Sequence, residues 1–396
     1  MLRSPDSLVL GMSTTGDPED PTAASGWPTS LLAALRDVAA QVVGISDAPT
    51  PGKARVSLAA GALLGLRPSD LTQPRIAKAR LRNVAQAGQL YAAARARSVR
   101  VQLTGAGALD GFVQNGADYP APAELRMATY QDSTVLQALR AYSWPHLQGL
   151  SQRDIDGLVR RQRAAYASAV ACCTSSHWTA ASITSDYGIP AGKVHVVGLG
   201  SNETSAEKAP GQRDWSRPRF LFVGFDWQRK NGEAVLDAFA KARESFPDAT
   251  LDLVGGHPRV ELEGVTGHGA LPLNDPAARA QLTALYREAT VFLMPSLHEP
   301  TGIVHVEAAA AGIASIGTSN GGAKTCIGDG GYVVDPRAPA ELLDAMLKLC
   351  NPDTAERLGA LGREHAKQFT WRKVAERIVR ALEIPDLDLS GYAEYL

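Results

Sequence analysis

Short apolar runs recur along the chain, separated by longer stretches in which Ala and Leu alternate with charged residues at helical spacing. That alternation predicts parallel β-strands joined by crossover helices. In the first half, strands are expected over 7–11, 41–45, 99–104, 170–174 and 194–197, with helices over 30–38, 160–169 and 176–187. A Gly/Thr/Pro-rich loop, 12–29, follows the first strand, and the Gly105-Ala-Gly107 turn follows the third. Neither carries the G-x-G-x-x-G spacing of a dinucleotide site, which disfavours an ordinary oxidoreductase. A second series of strands follows over 221–223, 251–254, 291–294, 314–316 and 332–334, with a strand-like segment at Val265. Between the two series, 202–218 is polar, contains two prolines and mixes charges, as an interdomain linker does.

With 396 residues the chain exceeds one ordinary core and fits two domains of about 200 residues each. The expected division is a first domain over 1–202, a linker over 203–218, a second domain over 219–370, and a C-terminal tail over 371–396 that crosses back to the first. Forty basic residues against 41 acidic ones leave a net charge of −1, so no general attraction to nucleic acid is expected and any phosphate binding must be local. Cys172 and Cys173 are adjacent while Cys326 and Cys350 stand alone, which reads as core thiols of a reducing, cytoplasmic compartment. The N-terminus lacks the layout of a signal peptide, and no apolar run approaches the roughly 20 residues that cross a bilayer. Arg75, Lys78, Arg80, Arg82, Arg95, Arg97 and Arg100 form a basic cluster. It reads as a solvated helix face because Ala and Gln fill its gaps, and it leaves peripheral membrane contact as an open possibility.

The chemistry concentrates in Glu299-Pro-Thr-Gly-Ile-Val-His-Val-Glu307. A strand over 291–294 places Glu299 to Gly302 in a strand-to-helix loop, where ligands of open α/β sheets bind. The following apolar run is expected to carry Glu307 into the interior, and the amides of Gly302 and Ile303, after Thr301, to open a helix that seats an anion. Arg229 and Lys230 follow another strand and precede Asn231-Gly232 and a helix, so both cations project from a strand's C-terminal loop. His298 and His305 flank the carboxylates, but neither H-E-x-x-H nor Cys/His pairing accompanies them, so no metal site is expected.

An isolated carboxylate pair at this spacing is ordinarily a capping Glu and a salt-bridged Glu. Here it follows Phe220-Leu-Phe-Val-Gly-Phe-Asp-Trp-Gln-Arg-Lys-Asn-Gly232 and Leu251-Asp-Leu-Val-Gly-Gly256, then Met294-Pro-Ser296, and precedes Asn320-Gly-Gly322. In that order the segments resemble the retaining glycosyltransferases of family 4, also called group 1, over most of residues 165–380. The resemblance implies an α/β chain of GT-B fold, two Rossmann-like parallel-sheet domains facing across a cleft. It implies a metal-independent, retaining hexosyltransferase that uses a nucleoside-diphosphate sugar, UDP-sugar by default, as donor substrate, and no cofactor.

By the same resemblance, Glu299 aligns the donor sugar, Lys230 and Arg229 meet its diphosphate, Glu307 holds the ribose diol, and Gly321 and Gly322 admit the donor to the backbone. One departure is Phe225, where many relatives carry Arg directly after the strand's Gly; Arg229 is expected to supply the missing charge. Ser25-Gly26-Trp-Pro resembles the family's S-G-x-P loop, with Gly26 approaching the transferring centre. Tyr130-Gln-Asp-Ser-Thr134 resembles a segment of one branch, in which Asp132 touches donor or acceptor, or else caps a helix. The acceptor, whether small molecule, glycan, lipid or peptide, is not readable from these loops. Two rivals on the same fold are an epimerase or hydrolase of nucleotide sugars, and a non-catalytic nucleotide-sugar or glycan binder.

Overall fold

The structure is a computed structural model that describes residues 3–20, 27–67, 74–120, 122, 124–141, 145–201, 213–272 and 274–396. It divides into two compact units, one of Met1–Val197 with Trp371–Leu396 and one of Gly198–Thr370.

The first unit is a parallel sheet of β1 (Val9–Thr14), β2 (Gln41–Ser46), β3 (Gly111–Asn115), β4 (Met127–Gln131), β5 (Ala171–Thr174) and β6 (Val194–Val196) in the order β2-β1-β3-β4-β5-β6. The segment 99–104 is not a strand; it is the end of a helix, Gln89–Leu103. Val99, Val101 and Leu103 alternate like a strand, but Val99 continues the buried face begun by Ala92, and Val101 is left exposed. The strands that occupy the middle of the sheet instead are β3 and β4, whose Gln114, Thr129 and Gln131 disguise them as loop. Buried in the sheet, Gln114 donates to the Tyr119 carbonyl at 3.2 Å and Gln131 to the Tyr166 hydroxyl.

The C-terminal helix Trp371–Ala381 packs on this same unit. Its apolar positions Val374, Ala375, Ile378 and Val379 form a stripe two residues wide at helical spacing, the pattern of a helix with one buried face. Trp371 stacks on Trp27 with centroids 6.3 Å apart, and the buried Arg377 donates to the Val197 carbonyl at 3.1 Å.

The second unit is also a parallel sheet, of β7 (Arg219–Gly224), β8 (Thr250–Gly255), β9 (Val265–Gly269), β10 (Val291–Met294), β11 (Ala314–Thr318) and β12 (Gly331–Val334), in the order β12-β11-β10-β7-β8-β9. The chain runs outward from β7 through β8 and β9, then returns to place β10 on the other side of β7. The loops after β7 and β10 therefore flank a topological switch point, the crevice where doubly wound sheets bind ligands. Phe220, Phe222, Leu251, Leu253, Phe292 and Met294 fill the core below it. Part of the expected linker lies outside the described residues; its later part is anchored on this unit. Arg213 donates to the Gly312 and Ala311 carbonyls at 2.8 and 2.9 Å and lies over the Trp215 ring.

Candidate active site

The loop after β7 carries Arg229 and Lys230 into the helix Gly232–Ser245. Asn231, at the helix N-cap with φ of 63°, donates from its side-chain amide to the Pro295 and Pro336 carbonyls at 3.2 and 2.9 Å. The Leu297 amide donates to the Arg229 carbonyl at 2.8 Å. The loops after β7, β10 and β12 are thus laced together by main-chain acceptors, which fixes the directions of the side chains they carry.

Glu299 sits where those loops meet and is 8% exposed. Its Oε2 receives Lys230 Nζ in an ion pair, Arg229 Nη1 at 3.3 Å and the Ser296 hydroxyl at 3.2 Å. Burial alone would raise this carboxyl, but Lys230 and then Arg229 hold it below the usual carboxylate range. A buried charge is tolerated only when paired and hydrogen-bonded in this way. Arg229 also donates to the His298 carbonyl at 3.1 Å and faces the half-exposed Asp226 at 3.4 Å.

The backbone of Glu299 is fixed by Gly321. The two residues form a parallel bridge, with the Glu299 amide on the Asn320 carbonyl at 3.1 Å and the Gly322 amide on the Glu299 carbonyl at 2.8 Å. Gly321 has φ of 138°, and a Cβ there would lie 1.9 Å from the Glu299 carbonyl oxygen. In this structure, then, Gly321 admits the Glu299 loop itself, while Gly322 caps the helix Ala323–Ile327. Gly302, left-handed at φ of 84°, turns the chain into the helix Ile303–Ala310, and this N-cap offers no side-chain acceptor. Thr301, just before it, is buried, and its carbonyl accepts from Cys326 Sγ.

Two expectations need correction. Glu307 is not carried into the interior: the helix Ile303–Ala310 buries His305, Val306, Ala308 and Ala309, and Glu307 falls on its half-exposed face, accepting from the Tyr286 hydroxyl at 3.2 Å. Asp132, in the first unit, is exposed and is not the helix cap. Thr134 has that role through a reciprocal pair, accepting from the Gln137 amide at 3.2 Å while its own amide donates to Gln137 Oε1 at 3.1 Å. Gly26 lies outside the described residues. Lys230, Arg229, Glu299, Thr301, Gly302, Ile303, Gly321 and Gly322 come together around the loops after β7, β10 and β11, with Glu307 one helical turn beyond Ile303.

Sequence reasoning passed over Ser296, which bonds Glu299, and Asn231 and Asn320, which brace the loops. Asn320 donates to the Leu297 carbonyl at 2.6 Å. Only the left-handed turn required by Asn231-Gly232 was a usable signal. It also passed over the state of His305: buried against the edge of Phe292, with no hydrogen-bond partner at either ring nitrogen among the described residues, its pKa is pushed down to about 3 by burial.

The arrangement gathers two cations, one buried carboxylate and two helix N-termini, a combination suited to holding a diphosphate and aligning a hydroxylated group beside it. Among the described residues, no three or more His, Cys, Asp or Glu side chains gather as a metal site, and no helix is long and apolar enough to cross a membrane.

Residues 217–352 match the family described as Glycosyl transferases group 1. A D-inositol 3-phosphate glycosyltransferase of Corynebacterium diphtheriae is 32% identical over 171 residues, covering 40% of this chain and 40% of that protein. A phosphatidyl-myo-inositol mannosyltransferase of Mycobacterium tuberculosis is 33% identical over 177 residues, covering 41% of this chain and 46% of the relative. The chain spans less than half the length of these curated relatives. Among solved structures, a sucrose-phosphate synthase from Thermosynechococcus elongatus is similar with a TM-score of 0.60 over 94% of this chain and 98% of that one, at 18% identity. At that identity the likeness carries the fold, which is GT-B.

Proposed function

We propose that the chain, whose residues 217–352 match the group 1 glycosyltransferases, is a retaining enzyme of that family that transfers a sugar from a nucleoside-diphosphate sugar, by default a UDP-sugar, to an acceptor hydroxyl. The observation that carries this reading is the buried Glu299 carboxylate paired with Lys230 and Arg229 at the β7/β10 switch point. Departure of the leaving group throws negative charge onto a nucleoside diphosphate. Fixed cations and helix amides stabilise that charge without having to reorganise, so no divalent ion is required.

In this proposal the bond between the sugar's anomeric carbon and the diphosphate breaks, with its electron pair going to the diphosphate. The acceptor oxygen bonds the same carbon on the same face and loses its proton to the departing phosphate oxygen. Lys230 and Arg229 transfer their attention from Glu299 to the diphosphate, and Glu299 accepts hydrogen bonds from the sugar's hydroxyls. Glu307, half-exposed and steadied by Tyr286, accepts from the ribose diol. Gly26, expected to approach the transferring centre, and Asp132, expected to touch donor or acceptor, lie in the first unit's stretch of the chain and remain part of the proposal.

Steady-state kinetics tests this. Glu299→Ala is expected to lower kcat far more than donor affinity, and Glu307→Ala mainly to weaken donor binding. A Glu299→Ala enzyme with kcat within about twofold of wild type at saturating substrates would remove Glu299 from the chemistry.

A further inference from the structure

β9 is an edge strand of the second sheet, and two histidines fasten its end. The β8–β9 ladder shifts register where Leu253 pairs with Gly267 and Val254 with Gly269, so His268 is the extra residue of a bulge. Its Nε2 meets Asp252 Oδ1 at 2.7 Å and its Nδ1 meets the Gln281 amide at 3.0 Å. The next residue, Gly269, is held by His257 from the loop after β8.

The His257 ring serves two bonds with one proton. Nδ1 lies 2.7 Å from the Pro258 carbonyl, which can only accept, and Nε2 lies 2.9 Å from the Gly269 amide, which can only donate. The ring is therefore neutral, with its proton on Nδ1. A second proton would sit on Nε2, facing the Gly269 N–H, and that bond would be lost. The place is shaped for the ring: a Cβ on Gly267 would lie 2.4 Å from His257 Cε1, so a side chain there would displace it.

From His257 contacts lead to the proposed diphosphate seat by two routes. Trp227 packs edge-on against the His257 ring with centroids 6.4 Å apart, and lies over Gly232, where a Cβ would be 2.3 Å from the indole. Its Nε1 donates to Glu233 Oε1 at 2.9 Å, which ties the indole to the first turn of the helix that follows Arg229 and Lys230. On the second route, Gly255 and Gly256 lie against the backbone after β7: Cβ atoms there would meet the Gly224 and Phe225 carbonyl oxygens at 2.0 and 2.1 Å. The charged groups on these elements have partners of their own. Glu233 holds Trp227, Asp226 faces Arg229 at 3.4 Å, Asp252 holds His268, and Arg259 pairs with Glu261 at 2.7 Å.

We propose that His257 is a positioning residue whose neutral ring locks the loops after β7, β8 and β9 together, and whose protonation loosens the Arg229–Lys230 loop and weakens diphosphate binding. The lock itself stands on the geometry; its effect on a diphosphate rests on the transferase reading above. Imidazoles change charge within the range of about pH 5 to 8, so the effect falls in ordinary assay conditions.

The test compares the full chain with His257→Gln, whose amide oxygen accepts from Gly269 without titrating, and with His257→Ala, which has no acceptor. Three quantities are followed from about pH 8 to about pH 5.5. They are the Gly269 amide resonance in isotope-labelled protein, Trp227 emission read as the difference from Trp227→Phe, and UDP affinity by calorimetry. The terminal phosphate of UDP also takes up a proton over this range, so the difference between proteins is the readout.

Wild-type affinity for UDP is expected to fall about fivefold further than that of His257→Gln, the worth of one hydrogen bond. At the upper pH, His257→Ala is expected to bind about fivefold more weakly than His257→Gln. The Gly269 resonance and Trp227 emission should titrate in wild type and stay constant in His257→Gln. Equal pH courses of UDP affinity in wild type and His257→Gln, or a Gly269 resonance that titrates alike in both, would overturn the proposal. If resonance and emission titrate through His257 while none of the three proteins binds UDP, the lock stands and the transferase reading falls.

Discussion

Lys230→Ala removes the closest partner of a carboxylate that is 8% exposed. Breaking a buried ion pair from one side costs about 3–5 kcal/mol, because the remaining charge stays desolvated. Arg229 at 3.3 Å and the Ser296 hydroxyl at 3.2 Å still hold Glu299, so the lower end, about 3 kcal/mol, applies. For a unit the size of residues 198–370, that corresponds to a fall in Tm of about 6–12 °C. Glu299→Ala alone strands Lys230 instead. The double variant has no unpaired charge left, so it should be more stable than the sum of the single losses implies, with a coupling of about 1–3 kcal/mol. Scanning calorimetry of the four proteins reads this directly. Additive losses, with coupling below about 0.5 kcal/mol, would refute the claim that the two groups form one buried pair.

The pairing of His305 with pH gives a second test. Its folded pKa of about 3 lies below the ordinary 6.5, so the unfolded chain takes a proton that the folded chain refuses. The resulting stability is full above pH 6.5 and is lost as pH falls through 6.5 toward 3, by about 2 kcal/mol at pH 5. Urea unfolding of wild type and His305→Phe at pH 7 and pH 5 should differ by that amount, and parallel losses would contradict it. Gly321→Ala should distort the Glu299 loop, since its Cβ would meet the Glu299 carbonyl oxygen at 1.9 Å. The variant is expected to fold with reduced stability and to lose UDP affinity in calorimetry; unchanged affinity would show that the bridge to Glu299 does not position the site.

Most of the second unit was legible because its strands are uninterrupted apolar runs and its loops carry their functional groups in order. In the first unit the sequence misled where burial is not apolar. Gln114, Thr129 and Gln131 satisfy polar groups inside the sheet, a tertiary arrangement that leaves no local pattern. The strand expected at 99–104 failed for the opposite reason: three apolar residues at alternate positions outweighed a helical face that begins at Ala92. Glu307 was misplaced because an apolar run does not reveal which face of a short helix is left uncovered. Asp132 was a plausible cap by residue type, but Thr134 stands next to the first helical turn and has Gln137 to complete the pair.

In the proposed reaction Lys230, Arg229 and Glu299 form the seat of a nucleoside diphosphate that needs no metal. Titration calorimetry of UDP into the full chain with excess EDTA tests it most directly, with ADP and GDP as alternatives. Saturable binding by wild type, weakened by about tenfold or more in Lys230→Ala, is the predicted result. Absence of binding by all three nucleotides until a divalent ion is restored, or equal affinity in wild type and Lys230→Ala, would contradict the account.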